Sequence, residues 1–232
     1  MSLYLTIELI AISVPLALSF EKNLRFYKRW KNISLAIVFS MFIYVSWDVL
    51  FTHFEVWEFN PKYNSGISIF KLPLEEHLFF ITIPYASLFL FYAINFHFPN
   101  FRLGSKWTRA LSAILALSSL FIAVTNFSHI YTFINFLVLF VTIVVVYKFS
   151  FELLRRYLAF FPVLSIPFII INGILTGTGI DQEVFKYSDE AITGIRILTF
   201  PLEDLFYAFS LIITVIFILE KLEASEKNKL TT

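Results

Sequence analysis

Seven apolar runs of membrane-spanning length divide this chain, and they leave little choice of fold. They cover about 3–20, 33–51, 74–95, 108–125, 130–148, 158–175 and 200–219, each near the ~17–25 residues that a helix needs to cross a hydrocarbon layer of ~30 Å. A soluble domain could not cover that much oil, because 58% of the 232 residues are apolar and the mean hydropathy is +0.77. Long alternating strands are absent, so helices rather than a barrel must satisfy the backbone. The expected fold is an all-α integral membrane protein of about seven transmembrane helices. The first run is not expected to be a cleaved signal, since no basic stretch precedes it and Glu8 interrupts it.

Composition narrows the function classes. A net charge of +1 argues against a nucleic-acid partner. The absence of cysteine excludes disulfides, a thiolate nucleophile and a Cys-ligated metal. His53, His77, His97 and His129 are too few and too scattered for a histidine-rich di-iron oxygenase. No metal site is expected.

Basic residues set the orientation. The first loop carries Lys22, Arg25, Lys28, Arg29 and Lys31. The third has Arg102, Lys106 and Arg109, the fifth Lys148, Arg155 and Arg156, and the tail Lys221, Lys227 and Lys229. The second and sixth loops hold Glu55, Glu58, Asp181, Glu183, Asp189 and Glu190 instead. By the positive-inside rule the N-terminus lies outside and the C-terminus in the cytoplasm, as for a multi-pass protein of the cell membrane. Trp57 and Trp107 read as anchors at the membrane interface.

The chain also repeats itself. Two runs open on the same box, Pro73-Leu74-Glu75-Glu76 and Pro201-Leu202-Glu203-Asp204. Setting Pro73 on Pro201 brings Gly66 onto Gly194, Ile67 onto Ile195 and Phe79 onto Tyr207. With slightly different offsets Asp48 falls on Asn172, Thr52 on Thr176, and Tyr4, Ile7 and Glu8 on Tyr131, Ile134 and Asn135. The organisation expected is a first repeat over 1–96 (helices 1–3), a linking helix 4 over 97–127, a second repeat over 128–222 (helices 5–7) and a tail over 223–232. Three-helix units joined directly would be inverted; the linking helix makes them parallel.

The polar residues inside these runs cluster near one end of the helices. Acids there are costly to keep and are functional candidates by default. Each could also serve as a helix-start residue, because proline at the first position with acids in the first turn suits the helix dipole. Glu8 is too far inside its helix for that. Neighbouring acids point about 100° apart, so the members of each pair face different ways. Glu75 is expected above Phe79 and Glu203 above Tyr207, at i+4 spacing. A protonated acid near an ionised one is what acid–base chemistry on a neutral substrate requires. Rings such as Trp47, Phe79 and Tyr207 could steady a carbocation through their quadrupoles.

Together the two boxes, the stretch Asn172-Gly173-Ile174-Leu175-Thr176-Gly177 and Gly194-Ile195-Arg196-Ile197 resemble the small membrane lycopene cyclases. That family occurs as a heterodimer of short subunits, as one fused chain, or joined to phytoene synthase, and this chain resembles the fused two-repeat form over nearly its whole length. Two departures stand out: Ser46-Trp47-Asp48 faces Asn172 in the other half, and the stretch after Pro61 is longer than its counterpart before Gly194.

What the resemblance implies is lycopene β-cyclase activity, an intramolecular lyase or isomerase reaction. An acid protonates the terminal double bond, the next double bond attacks the tertiary cation, and a base removes a ring proton, giving γ-carotene and then β-carotene with no net redox change. Glu75 and Glu203 are expected as the central acid–base pair, supported by Glu76 and Asp204. Glu8, Trp47, Asp48, Phe79, Asn135, Asn172 and Tyr207 are expected to bind or orient the substrate. No cofactor is expected, since the Gly-x-Gly-x-x-Gly fingerprint of flavin-dependent cyclases is missing. The partners implied are lycopene and other carotenes, membrane lipid and other enzymes of carotenoid synthesis.

The same residues would serve a hydratase, an ε- or γ-ring former, or a cyclase of C50 carotenoids. A non-enzymatic carrier would use the acids as proton or cation sites. A retinal protein would need a lysine in the last span, 200–219, which has none, and a prenyl transferase would need an Asp-rich magnesium motif, which is absent.

Overall fold

The computed structural model describes residues 2–231. Among them are seven α-helices: α1 (Leu3–Leu18), α2 (Trp30–His53), α3 (Leu74–His97), α4 (Ser105–Thr125), α5 (Ile130–Phe149), α6 (Phe151–Leu175) and α7 (Leu202–Thr231). Six of them, all but α1, are long and apolar enough to cross a bilayer. The chain is a helical multi-pass membrane protein.

The helix ends follow local chemistry. α1 stops at Leu18, two residues earlier than the apolar run suggests. There the Ser19 hydroxyl donates back to the Pro15 carbonyl over 2.7 Å, and the same oxygen lies 2.6 Å from the Tyr85 hydroxyl. At its other end α7 does not stop where the apolar run does. It continues as one helix through the charged residues after 219. That extension is held by Arg29 on Glu223 at 2.6 Å and Arg156 on Glu220 at 2.8 Å, both half-buried pairs.

α3 and α7 stand at the centre, touching each other and both α2 and α6. α1 packs on α3, α5 packs on α7, and α4 lies against α5 and α6. Small residues let the elements approach closely: Ser112, Ser119 and Ala123 of α4 are buried although most of that helix is exposed.

Short strands organise the ends that carry the boxes. β2 (Ser68–Ile69) and β3 (Leu72–Pro73) form one hairpin, and β5 (Arg196–Ile197) and β6 (Phe200–Pro201) form another. Their registers match, Ser68 on Pro73 and Arg196 on Pro201. Each hairpin begins at a glycine in the left-handed region, Gly66 at φ +78° and Gly194 at φ +79°. Each ends with the helix's first N–H on an isoleucine carbonyl, Leu74 to Ile67 at 2.9 Å and Leu202 to Ile195 at 2.8 Å. Both prolines are thus the last strand residue, one place before the helix rather than its first residue.

A third ribbon joins the halves. β1 (Trp57–Phe59) pairs antiparallel with β4 (Phe185–Tyr187), Trp57 opposite Tyr187 and Phe59 opposite Phe185. These strands are related by the same offset that sets Pro73 on Pro201. Equivalent segments pairing antiparallel about their middle residues, Glu58 and Lys186, are what a two-fold relation between the halves produces. The sequence patterning gave no hint of these strands, since runs of two or three residues carry no alternation to detect.

Candidate active site

Beneath the β1–β4 ribbon lies a pocket. Helices α1, α2, α3, α5, α6 and α7 all contribute to its wall. Its polar residues are Asp48, Glu76 and Asp204 with Asn172 and the tyrosines Tyr4, Tyr131, Tyr187 and Tyr207. Trp57, Phe59, Phe79, Phe168 and Phe185 complete it. Three carboxyl groups therefore share one chamber, and among the described residues no lysine, arginine or histidine lines it.

The acids are held by hydrogen bonds that repeat between the halves. Tyr4 donates to Glu76 Oε2 over 2.6 Å, and Tyr131 donates to Asp204 Oδ1 over 2.7 Å. Asp204 Oδ2 accepts two further bonds, from Asn172 Nδ2 and the Tyr187 hydroxyl, both at 2.7 Å. Tyr187 sits on the ribbon, and burial, followed by the neighbouring Asp204 carboxyl, holds its phenol well above the ordinary tyrosine range. It is a standing donor at any physiological pH. Asp48 is buried, and its Oδ2 has no hydrogen-bond partner among the described residues.

The other member of each pair faces away from the chamber. Glu75 Oε1 accepts the Ser65 N–H at 2.6 Å and the Ser2 hydroxyl at 2.7 Å. Glu203 Oε1 accepts the Thr193 N–H at 2.8 Å, the Thr193 hydroxyl at 2.9 Å and the Thr132 hydroxyl at 2.6 Å. Both thus tie the start of their own helix to the residue before Gly66 or Gly194. Neither lines the pocket. The expectation that Glu75 and Glu203 stand above Phe79 and Tyr207 is corrected accordingly. Phe79 and Tyr207 do line the pocket, but beside Glu76 and Asp204, their i−3 neighbours. On a helix i+3 and i+4 share a face almost equally, so the spacing alone could not decide between them.

The remaining predicted residues divide the same way. Asp48, Phe79, Asn172 and Tyr207 reach the chamber. Trp47 does not line it but backs it, its ring 5.4 Å from that of Tyr207 and 5.4 Å from that of Tyr44. Asn135 lies behind the second box, donating to the Glu203 carbonyl at 2.5 Å. Glu8 lies behind the first, taking a hydrogen bond from Thr82.

Trp57 is not an interfacial anchor. It is 6% exposed, donates Nε1 to Thr52 Oγ1 at 2.9 Å and packs edge-on against Tyr131 and Tyr187. Trp107, by contrast, is 75% exposed. Sequence reasoning also passed over Tyr4 and Tyr131 as site residues, although their mutual alignment in the repeat was a usable signal. Phe59, Phe168, Phe185 and Tyr187 carried none beyond being aromatic in a chain with 30 phenylalanines.

Fold and site together define a polytopic membrane protein with a carboxyl-rich, ring-lined chamber at one end of its helices. The family model described as lycopene cyclase matches residues 1–94 and 128–222. The chain belongs to the lycopene cyclase family, and is an enzyme of carotenoid cyclisation. No curated protein and no solved structure matches it.

Proposed function

We propose that this protein is a lycopene β-cyclase working by acid–base catalysis through a carbocation. The observation that carries this reading is the chamber itself: three carboxyl groups, no cation, and a wall of aromatic rings. A carotene is neutral and apolar, so its binding needs no cation. Its cyclisation needs a proton delivered to carbon, which takes a carboxylic acid placed beside the double bond. The positive charge then formed has no counter-ion in the substrate. Ring faces and nearby carboxylates stabilise it, and a chamber closed by the ribbon keeps water from capturing it.

The acid–base work belongs to the carboxyl groups that reach the chamber, Asp48, Glu76 and Asp204. Glu75 and Glu203 fix the helix starts that aim Glu76 and Asp204. The two halves, 1–96 and 128–222, contribute one box each, with helix 4 as the link. The chain lies in the cell membrane with its N-terminus outside and its C-terminus cytoplasmic, which puts the chamber at the level of the outer leaflet. Substrate reaches it from lipid.

Extraction of pigments from lycopene-producing cells expressing the chain tests this. β-Carotene, with some γ-carotene, is the expected product. An ε-ring, a hydroxylated acyclic carotene or a C50 product would assign the same chamber to a different final step. Unchanged lycopene would remove the proposal.

A further inference from the structure

The chamber is a near-symmetric pair of half-sites, and the places where the symmetry fails concern hydrogen-bond donors. Asp204 receives three: Tyr131, Tyr187 and Asn172. In the first half the counterpart of Tyr131 is Tyr4, which still donates to Glu76. The counterpart of Tyr187 is Phe59, which has no hydroxyl. The counterpart of Asn172 is Asp48, a second carboxyl group where the other half has an amide donor. So Glu76 keeps one donor, and Asp48 Oδ2 has none among the described residues.

We propose that the halves divide the proton work by this difference: the Asp48–Glu76 side delivers the proton and Asp204 removes one. The assignment rests on the cyclase reading above and deepens it. Three donors occupy three of the roughly four lone-pair sites of the Asp204 carboxylate, which favours its ionised form and leaves one site on Oδ1 to take a proton. In the first half Glu76 has a single donor and Asp48 Oδ2 has none among the described residues, so a proton held on these two carboxyl groups supplies the hydrogen bonding that Asp204 already receives from its neighbours. The acid therefore lies in the first half and the base in the second.

The steps balance. An O–H bond of the Asp48–Glu76 pair breaks, and a C–H bond forms at the terminal double bond, leaving a tertiary cation. The π electrons of the internal double bond form the ring C–C bond and pass the charge to the next carbon. Asp204 takes the proton from the adjacent ring carbon, and the electrons of that C–H bond become the ring double bond. One proton enters, one leaves, and nothing is oxidised or reduced. Before the next turnover Asp204 gives its proton up to water and the first half takes one up from water.

The test is deuterium uptake. Membranes carrying the full-length protein are equilibrated in heavy water and given lycopene, and all carotenes are analysed by mass spectrometry. Wild type yields β-carotene carrying deuterium. Asp204→Asn leaves the acid intact, so the cation still forms and escapes by other routes. Deuterium then appears in exchanged, hydroxylated or isomeric carotenes while β-carotene is lost. Asp48→Asn gives Glu76 the same amide donor that Asp204 has, converting the acid half into a copy of the base half. Uptake falls at least about tenfold, the lower range for loss of a positioned acid. Asp48→Glu, which keeps a carboxyl group, restores it and shows that the site is folded. Labelled side products from Asp48→Asn but not from Asp204→Asn would reverse the assignment. Equal uptake by the two variants, or none from Asp204→Asn while Asp204→Glu cyclises, would overturn it. A wild type that makes no cyclic carotene would instead overturn the reading on which it rests.

Discussion

The Tyr131 hydroxyl donates to Asp204 over 2.7 Å, and one half of the chain away Tyr4 makes the same bond to Glu76 over 2.6 Å. The two bonds are equivalent by position but not by consequence. Asp204 keeps Asn172 and Tyr187 when Tyr131 is lost, whereas Glu76 keeps no donor among the described residues when Tyr4 is lost. A hydrogen bond to a charged group contributes ~1.5–3 kcal/mol, or roughly tenfold to a hundredfold in rate if it acts in the rate-limiting step. Tyr4→Phe is therefore expected to slow lycopene conversion at least about tenfold. Tyr131→Phe is expected to slow it less. Initial rates in isolated membranes compare them.

Glu75 and Glu203 are expected to matter through structure. Each accepts a loop N–H, so glutamine, whose side-chain carbonyl also accepts, preserves that bond. Alanine at 203 leaves the part-buried Thr193 N–H without this acceptor, at a cost of up to ~1–3 kcal/mol. Glu203→Gln should retain most activity, and Glu203→Ala should lower the thermal midpoint in detergent and the yield of inserted protein. A stable but inactive Glu203→Gln would return that residue to the chemistry.

Gly66 and Gly194 open the two hairpins at φ +78° and +79°, with nothing within 4 Å of a built Cβ. Space is available at both, so only backbone strain opposes alanine, at ~1–2 kcal/mol each. Gly66→Ala and Gly194→Ala should lower the thermal midpoint by similar amounts, and the double variant by about their sum, if the hairpins are independent.

Much of the fold was legible because membrane length and hydrophobicity leave few alternatives. The seven runs predict seven helices, but α6 begins at Phe151 rather than at 158, and α7 overruns its apolar stretch because charged residues can still be helical once ion-paired. The site was half legible. The repeat alone singles out the boxes, Asp48, Asn172, Phe79 and Tyr207, and Asp48, Glu76, Phe79, Asn172, Asp204 and Tyr207 line the pocket. Which acid of each box faces the chamber was not, since that depends on Ser65 and Thr193 offering backbone N–H groups from loops. The β1–β4 ribbon was invisible because pairing between Trp57–Phe59 and Phe185–Tyr187 is a long-range event without local pattern. Trp57 was misplaced for the same reason: a tryptophan in an interfacial loop reads as an anchor until something folds over it.

The ring of Phe79 lines the chamber next to Glu76, where charge would develop. Leucine keeps the site apolar but removes the ring face, and a cation–π contact away from water is worth ~0.5–2 kcal/mol. Phe79→Leu is expected to cost roughly 2- to 30-fold in rate. Phe79→Tyr should cost less. Equal losses in both variants would assign Phe79 to packing alone.

The central claim is that the acids facing the chamber perform the chemistry while their neighbours hold the scaffold. Pigment extraction from lycopene-producing cells expressing Asp204→Asn or Glu203→Gln at matched protein levels tests it most directly. Asp204→Asn is expected to accumulate acyclic carotene with no β-carotene, and Glu203→Gln to make β-carotene close to wild type. β-Carotene from Asp204→Asn, with lycopene alone from an equally abundant Glu203→Gln, would contradict it.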